Sequence, residues 1–329
     1  MYILLMIKKF TKPYFIAEIG SNFDQNLKTG YELIDKAKSS GANAVKFQLF
    51  KAKKLYPHDK KMFKIFKSIE LREDHFEKFF NYAKKLRLDV SASTFDLKTA
   101  RYLKKFKVDF HKIASSELTN YELIDYLSKS KLPILLSSGM SDLQDIKNAV
   151  KICEKNKNSN IVIMQCGSDY PLNHKDVNLN TLATFKSNFK YYLGFSDHTI
   201  AEIAGITSVG FGATVFEKHV TLNKNSAGPD HFFAMEPSEF KGYITKIKEA
   251  HKCLGTSKKN LLKQERLNSR RKGLYFSKNL KKGKIFTNKD YIEKSPPIGL
   301  TTIYLESILN RRLKKNIKKN EPIFKKLFF

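Results

Sequence analysis

The sequence predicts an α/β protein, a (β/α)8 barrel followed by a small C-terminal β-rich domain. Three observations lead there. Eight short β-rich runs alternate with helical stretches across residues 1–255. Polar residues collect where those runs end. After Gly255 the chain changes texture, first to a polar stretch and then to short strands, turns and prolines. Eight βα units over about 250 residues match the closed barrel. A doubly wound open sheet has the same repetition and is the alternative.

In chain order, "YFIAEIG" is the first run and ends with Glu18. "AVKFQLF" carries Lys46 and Gln48 on one face, because strand side chains alternate with period two. "DVSASTF" places Ser91, Ser93 and Phe95 together. "DFHKIAS" offers Lys112, with Ser115 and Glu117 beyond it at the opposite parity, so the strand is expected to stop between them. "PILLSSG" is followed by "SDLQDIKNAVKICEKN", a helix with an apolar stripe and Ser141 as its expected N-cap. "IVIMQCG" leads into Ser168 and Tyr170. "YYLGFSD" runs into Ser196 and His198, and "TVFEKHV" carries Glu217 and His219. The helix "PSEFKGYITKIKEAHKCLG" then ends at Gly255, an expected C-cap. Residues 1–255 are thus expected to form the barrel, 256–272 a polar linker, and 273–329 the small domain, which at about 55 residues lies near the lower limit for independent folding.

A buried lysine or glutamate is costly unless paired or ligated. One such interruption would suit a structural ion pair, but repetition at the ends of most strands points to a pocket, and barrel active sites lie at those ends. His198 and His219 end neighbouring strands, so their imidazoles can converge on one divalent first-row metal. Lys46 and Lys112, among hydroxyls, suit a phosphate and a carboxylate. The structural alternative is pairing with Glu18 or Glu117. Cys166 reads as a small buried hydrophobe, since nothing in the sequence marks an activating partner. The turn in "NSAGPDHFF" aims Asp230 and His231.

Lys and Arg number 61 against 32 Asp and Glu, a net charge of +29. The lysines are dispersed and no nucleic-acid motif accompanies them, so the expected partners are small anions rather than nucleic acid. A polyanion-binding protein on a degenerate barrel is the alternative of a different class. Cys153, Cys166 and Cys253 are odd in number and share no disulfide or zinc spacing, which fits a reducing cytoplasm. The opening "MYILLMI" is too short to span a membrane and lacks signal-peptide features.

Taken together, "IAEIGSN", "GANAVKFQLFKAKKLY", "HKIASSELTN", "LLSSGM", "LGFSDHT", "ATVFEKHVTL" and "SAGPDHFFAMEP" resemble the sialic acid (N-acetylneuraminate, nonulosonate) synthase family. "RRKGLYFSKNLKKGKIFT" and "ILNRRLKKNIKKNEPI" resemble that family's antifreeze-protein-like SAF domain. The resemblance implies condensation of phosphoenolpyruvate with an N-acylated hexosamine, N-acetylmannosamine-like, to a nonulosonic acid and phosphate. It implies that His198 and His219 bind a divalent metal, Mn2+ foremost, with Mg2+ or Co2+ as alternatives. Lys46, Ser93, Lys112, Ser115 and Ser196 would hold phosphoenolpyruvate, with Ser168 nearby. Glu18, Gln48, Phe95, Glu117, Tyr170 and Asp230 would contact the sugar, and the carboxylates Glu18, Glu117 and Asp230 are the candidates for proton transfer. In the family the small domain caps the barrel of a partner subunit, so a domain-swapped type of homodimer is expected.

The chain departs from the family pattern at four places. Phe23 replaces a histidine, Thr94 a proline, and Ser168 the asparagine of some members. Ser295 stands where an arginine reaches the sugar. A related synthase making a deoxy-octulosonate or heptulosonate is the same-class alternative, and the small domain argues against it.

Overall fold

The computed structural model describes residues 8–267 and 270–329. The opening "MYILLMI" and two residues of the expected linker, Asn268 and Ser269, lie outside them. Eight parallel strands close into one barrel in sequence order: β1 (Tyr14–Glu18), β2 (Ala44–Leu49), β3 (Asp89–Thr94), β4 (His111–Ile113), β5 (Ile134–Ser137), β6 (Ile161–Cys166), β7 (Tyr192–Asp197) and β8 (Ala213–His219). β1 pairs with β8 from Tyr14–Val215 to Glu18–His219, which seals the cylinder and removes the open-sheet alternative.

Alternation along the strands sorts side chains into two environments. Outward residues such as Phe15, Phe47, Phe195 and Phe216 pack against the surrounding helices. Inward residues at the N-terminal end, including Phe10, Ile16, Phe110, Leu135, Met164 and Val215, form a separate apolar floor. Each such side chain contributes about 1.5–3 kcal/mol when fully buried. Above this floor the interior turns polar. Register places Glu18 beside Lys46 and His219, Ser93 beside Gln48 and Lys112, and Ser196 beside Cys166 and Glu217.

The helices are set by their caps. Leu27–Ser40 begins where the Asn26 side chain accepts from the amides of Lys28 and Thr29, and ends at Gly41, whose φ of 98° favours glycine. For Leu143–Lys155 the expected N-cap at Ser141 is corrected. Asp142 caps this helix through the amides of Gln144 and Asp145, and Asp145 returns the bond to the Asp142 amide. A carboxylate also gains from the positive end of the helix dipole. The Ser141 hydroxyl donates to the Gly139 carbonyl instead. Strand β4 stops at Ile113, and Ser115–Glu117 forms a 3-10 turn, the parity break visible in the sequence. Two helices between β2 and β3, Ala52–Leu55 and Lys60–Ser68, had no counterpart in the sequence reading. No helix among the described residues is long and apolar enough to cross a membrane.

Contacts divide the chain after Gly255 into two compact units. The second contains a short helix, Lys263–Leu267, within the stretch expected to be a linker. Its two-stranded antiparallel sheet joins β9 (Gly273–Phe276) to β10 (Tyr291–Lys294). Around it, Phe276, Leu280, Phe286, Leu313, Ile323 and Phe328 belong to a core of its own. Asp290 is buried there, accepting from the amide and hydroxyl of Thr287. Lys278 and Lys284 lie within 3.0 and 3.2 Å of its oxygens.

Candidate active site

The C-terminal ends of the barrel strands enclose a cavity of about 360 Å³. Its base is a charged layer. Lys46 Nζ lies 2.7 Å from Glu18 Oε2 and 3.6 Å from Glu217 Oε1, and donates to Ser93 Oγ. Lys112 Nζ donates to both oxygens of Glu217 at 2.7 Å. Gln48 donates to Glu18 at 3.0 Å and Ser196 to Glu217 at 3.3 Å. The expected alternative of a Lys–Glu pair through Glu18 therefore exists for Lys46, whereas the partner of Lys112 is Glu217 and not Glu117.

Glu217 is the residue that sequence reasoning left without a role, and it joins both lysines. Its signal was present: it shares parity with His219 on β8. Burial alone would raise its carboxyl, but Lys112 and Lys46 outweigh that and hold it at about 2. Glu18 moves the other way, because burial, helped by the negative charge of Glu217, outweighs Lys46. Burial lowers Lys46, yet Glu18 and Glu217 keep it above its ordinary value. For Lys112 burial wins over Glu217, and its pKa is lowered.

One wall carries the histidines. The rings of His198 and His219 have centroids 5.6 Å apart. His198 Nδ1 lies 2.6 Å from the Gly167 carbonyl and donates to it, leaving Nε2 for a ligand. His219 Nδ1 is buried without a hydrogen-bond partner, 4.0 Å from Asp230 Oδ2. Burial, with His198 and Lys46 nearby, keeps the His219 ring well below its ordinary pKa, so it offers a neutral lone pair. These features fit a divalent ion. No three His, Cys, Asp or Glu side chains form a ready cage among the described residues. Two protein ligands with open positions suit a catalytic ion better than a structural one. Tyr170 packs against His198 with ring centroids 4.2 Å apart and planes tilted by 37°. Asp230 accepts from Ser21, and burial raises its pKa against that bond.

The remaining wall is apolar. Phe95 and Met140 share it with Ile65, Phe66 and Ile69, which come from the unanticipated helix Lys60–Ser68 and the residue after it. Ser115 and Ser168 approach Gly139 so closely that a Cβ there would lie 2.6 and 2.4 Å from their hydroxyls. The Ser168 hydroxyl has no partner.

Of the predicted site residues, the cavity gathers Glu18, Lys46, Gln48, Ser93, Phe95, Lys112, Ser115, Ser168, Tyr170, Ser196, His198, His219 and Asp230. Glu117 is not among its lining residues. It sits in the 3-10 turn, where its carboxylate accepts from Asn120 and Ser116. The reading of Cys166 as lacking a polar partner is also corrected. Its Sγ lines the cavity 3.8 Å from His198 Nδ1 and 3.5 Å from Ser115 Oγ. Burial raises this thiol, but His198 and Lys112 bring it down to about 7.

Comparison with known proteins gives a consistent set. Residues 33–259 match the NeuB family and residues 271–328 the SAF domain. The chain is 38% identical to an uncharacterized protein of Methanocaldococcus jannaschii, over 97% of this chain and 95% of that one. It is 34% identical to the N,N'-diacetyllegionaminic acid synthase of Campylobacter jejuni, over 95% and 99% of the two chains. The crystal structure of N-acetylneuraminic acid (sialic acid) synthetase from Leptospira borgpetersenii, in complex with citrate, superposes with a TM-score of 0.75. It is 30% identical and covers 78% of this chain and 90% of that chain.

Proposed function

The chain belongs to the NeuB family, and from that premise we propose that it condenses phosphoenolpyruvate with an open-chain sugar bearing two acetamido groups. The products are a nonulosonic acid and phosphate. The enzyme is a C–C bond-forming transferase of the N-acetylneuraminate synthase type. One observation carries the proposal: two buried lysines, bridged by Glu217, line the same cavity as two imidazoles.

Lys46 and Lys112 serve as point charges for the phosphate and carboxylate of phosphoenolpyruvate, and the hydroxyls of Ser93, Ser115, Ser168 and Ser196 complete the cradle. The arriving anion favours the charged form of Lys112, which burial otherwise disfavours. His198 and His219 would hold the divalent ion, Mn2+ foremost, and that ion supplies Lewis-acid polarisation of the sugar aldehyde. Carbon 3 of phosphoenolpyruvate bonds to the aldehyde carbon, water adds at carbon 2, and the tetrahedral intermediate expels phosphate. Glu217, held anionic, stabilises positive charge developing at carbon 2. Glu18 and Asp230, whose carboxyls have raised proton affinity, carry the protons. Glu117, outside the cavity lining, is given no such role.

The diacetamido sugar is favoured by the likeness to the Campylobacter enzyme and by the wall of Ile65, Phe66, Ile69, Phe95 and Met140, against which acetamido methyl groups can pack. The chain is further proposed to work as a cytoplasmic homodimer, which light scattering can measure. The deciding experiment is phosphate release from phosphoenolpyruvate with a panel of acylamino sugars and sugar phosphates. Fastest turnover is expected with an unphosphorylated diacetamido hexose. Release only with aldose phosphates lacking an acylamino group would replace this function with another ulosonate synthesis.

A further inference from the structure

The outer face of β7 and β8 carries charge where an apolar layer would suffice. Outward residues on these strands are otherwise Leu193, Phe195 and Phe216, packed against helices. At the last register pair, however, stand Asp197 and Lys218, both 1% exposed. Buried ion pairs are often no more stabilising than a well-packed apolar pair. What a charged pair can do, and an apolar pair cannot, is grip backbone.

The grip is directed at the histidines. Asp197 precedes His198, and Lys218 precedes His219. The β7–β8 ladder ends at Asp197–Lys218, so His198 lies one residue beyond the pairing that would fix it. Asp197 Oδ1 accepts from the amide of Thr199 at 2.9 Å and from its hydroxyl at 2.7 Å, closing a turn around His198. Lys218 Nζ lies 3.1 Å from the same Oδ1 and donates to the Thr199 carbonyl. A side chain beside one histidine thereby holds the backbone beside the other. Tyr243, from the helix Pro237–Cys253, lies 5.8 Å under the Lys218 ammonium. Its hydroxyl closes on the helix Ile203–Gly210, where a Cβ at Gly205 would come within 2.3 Å.

We infer that Asp197, Lys218 and Thr199 are positioning residues, an outer staple that sets the separation of His198 and His219 for one divalent ion. The inference rests on the proposed role of those histidines. Residues that orient metal ligands from behind commonly change metal affinity by about 10–100-fold when removed.

The test measures Mn2+ affinity of the full chain, by calorimetry and by the free-Mn2+ paramagnetic resonance signal, alongside thermal unfolding of the metal-free protein. Thr199→Val removes only the hydroxyl, with its contacts to Asp197 Oδ1 and the Ala201 carbonyl, and Lys218→Met removes the ammonium. Both are expected to weaken Mn2+ binding, by about 10-fold and about 100-fold respectively, and Thr199→Ser to retain it. Phe216→Leu, on the same outer face, should lower the unfolding temperature with unchanged Mn2+ affinity. Should Lys218→Met not fold, the Thr199 pair decides. Wild-type affinity in folded Thr199→Val and Lys218→Met, whatever their unfolding temperatures, would reduce the staple to an ordinary ion pair and leave the proposed function standing. A wild-type chain that takes up no Mn2+ would overturn the metal role and the staple with it.

Discussion

Both units of this chain bury carboxylates beside lysines, yet they do so in opposite ways. In the small unit Thr287 donates twice to Asp290 Oδ2, while the two lysines facing the carboxylate, Lys278 at Oδ1 and Lys284 at Oδ2, have side chains 52% and 41% exposed. In the barrel, Lys46, Lys112, Glu18 and Glu217 have side chains at most 5% exposed. They share a cavity wall with hydroxyls, such as those of Ser137 and Ser168, that have no partner. The first arrangement gives each carboxylate oxygen a lysine that reaches solvent. The second holds buried charge and unmet hydrogen-bonding capacity, which an anionic substrate satisfies. A buried carboxylate beside lysines therefore does not by itself mark an active site; charges of both signs sealed from solvent along a cavity do.

The largest effect should come from breaking the barrel layer at its hub. Glu217→Gln leaves the buried Lys112 ammonium uncompensated and Lys46 with Glu18 alone, and stability should fall by about 3–5 kcal/mol in denaturant unfolding. Phosphate release should fall by roughly 10³-fold, as when a preorganised charge is lost.

Next comes metal dependence. Chelation should abolish phosphate release, and Mn2+ should restore it, since His198 and His219 offer two ligands and no substitute for the missing charge. His219→Ala should fold and remain inactive with Mn2+ present. Full activity in that variant would detach the histidines from the metal.

The small unit supplies the contrasting case. Burial raises the Asp290 carboxyl, but its hydrogen bonds from Thr287 and Lys278, with Lys284, more than reverse this and bring it to about 2. An unfolded aspartate titrates near about 3.9. Since the folded value is the lower, the stabilisation is present above about pH 4 and is lost as the pH falls toward 2. Because exposed lysines are screened, its size should be about 1 kcal/mol. Asp290→Asn should remove this acid dependence from the unfolding curve of the second unit while leaving phosphoenolpyruvate binding intact.

The smallest effect concerns the dispersed surface lysines. Binding to DNA should be weak and should vanish between about 50 and 200 mM salt, as non-specific phosphate contacts do. Tight binding in gel-shift assays at physiological salt would revive the polyanion-binding alternative.

Much of the barrel was legible because its signals are local. Strand alternation put Lys46 with Gln48 and Glu217 with His219, and the parity change after Lys112 marked the end of β4. What escaped depended on contacts distant in sequence. That Glu217 rather than Glu117 pairs with Lys112 is a matter of barrel closure, spanning 105 residues. Helix Lys60–Ser68 carries an apolar stripe of Met62, Phe63, Ile65 and Phe66, but none of its residues is buried, and only the tertiary fold brings Ile65 and Phe66 to the cavity. Ser141 lost the cap to Asp142 because Asp142 stands three residues before Asp145, the spacing at which its amide donates to the Asp145 carboxylate while its own carboxylate accepts from the Asp145 amide. Cys166 gained its polar neighbours only through barrel closure, His198 from the end of β7 and Ser115 from beyond β4.

The contrast between the sealed charge cluster of the barrel and the solvent-reaching one of the small unit can be measured directly by calorimetric titration of phosphoenolpyruvate into three proteins. These are the wild type, Lys112→Met in the barrel, and Lys284→Met in the small unit. The wild type and Lys284→Met should bind alike, and Lys112→Met should bind at least about 100-fold more weakly, in line with loss of a charge-assisted contact to the anion. Undiminished binding by Lys112→Met would contradict the placement of phosphoenolpyruvate on the buried lysines of the barrel.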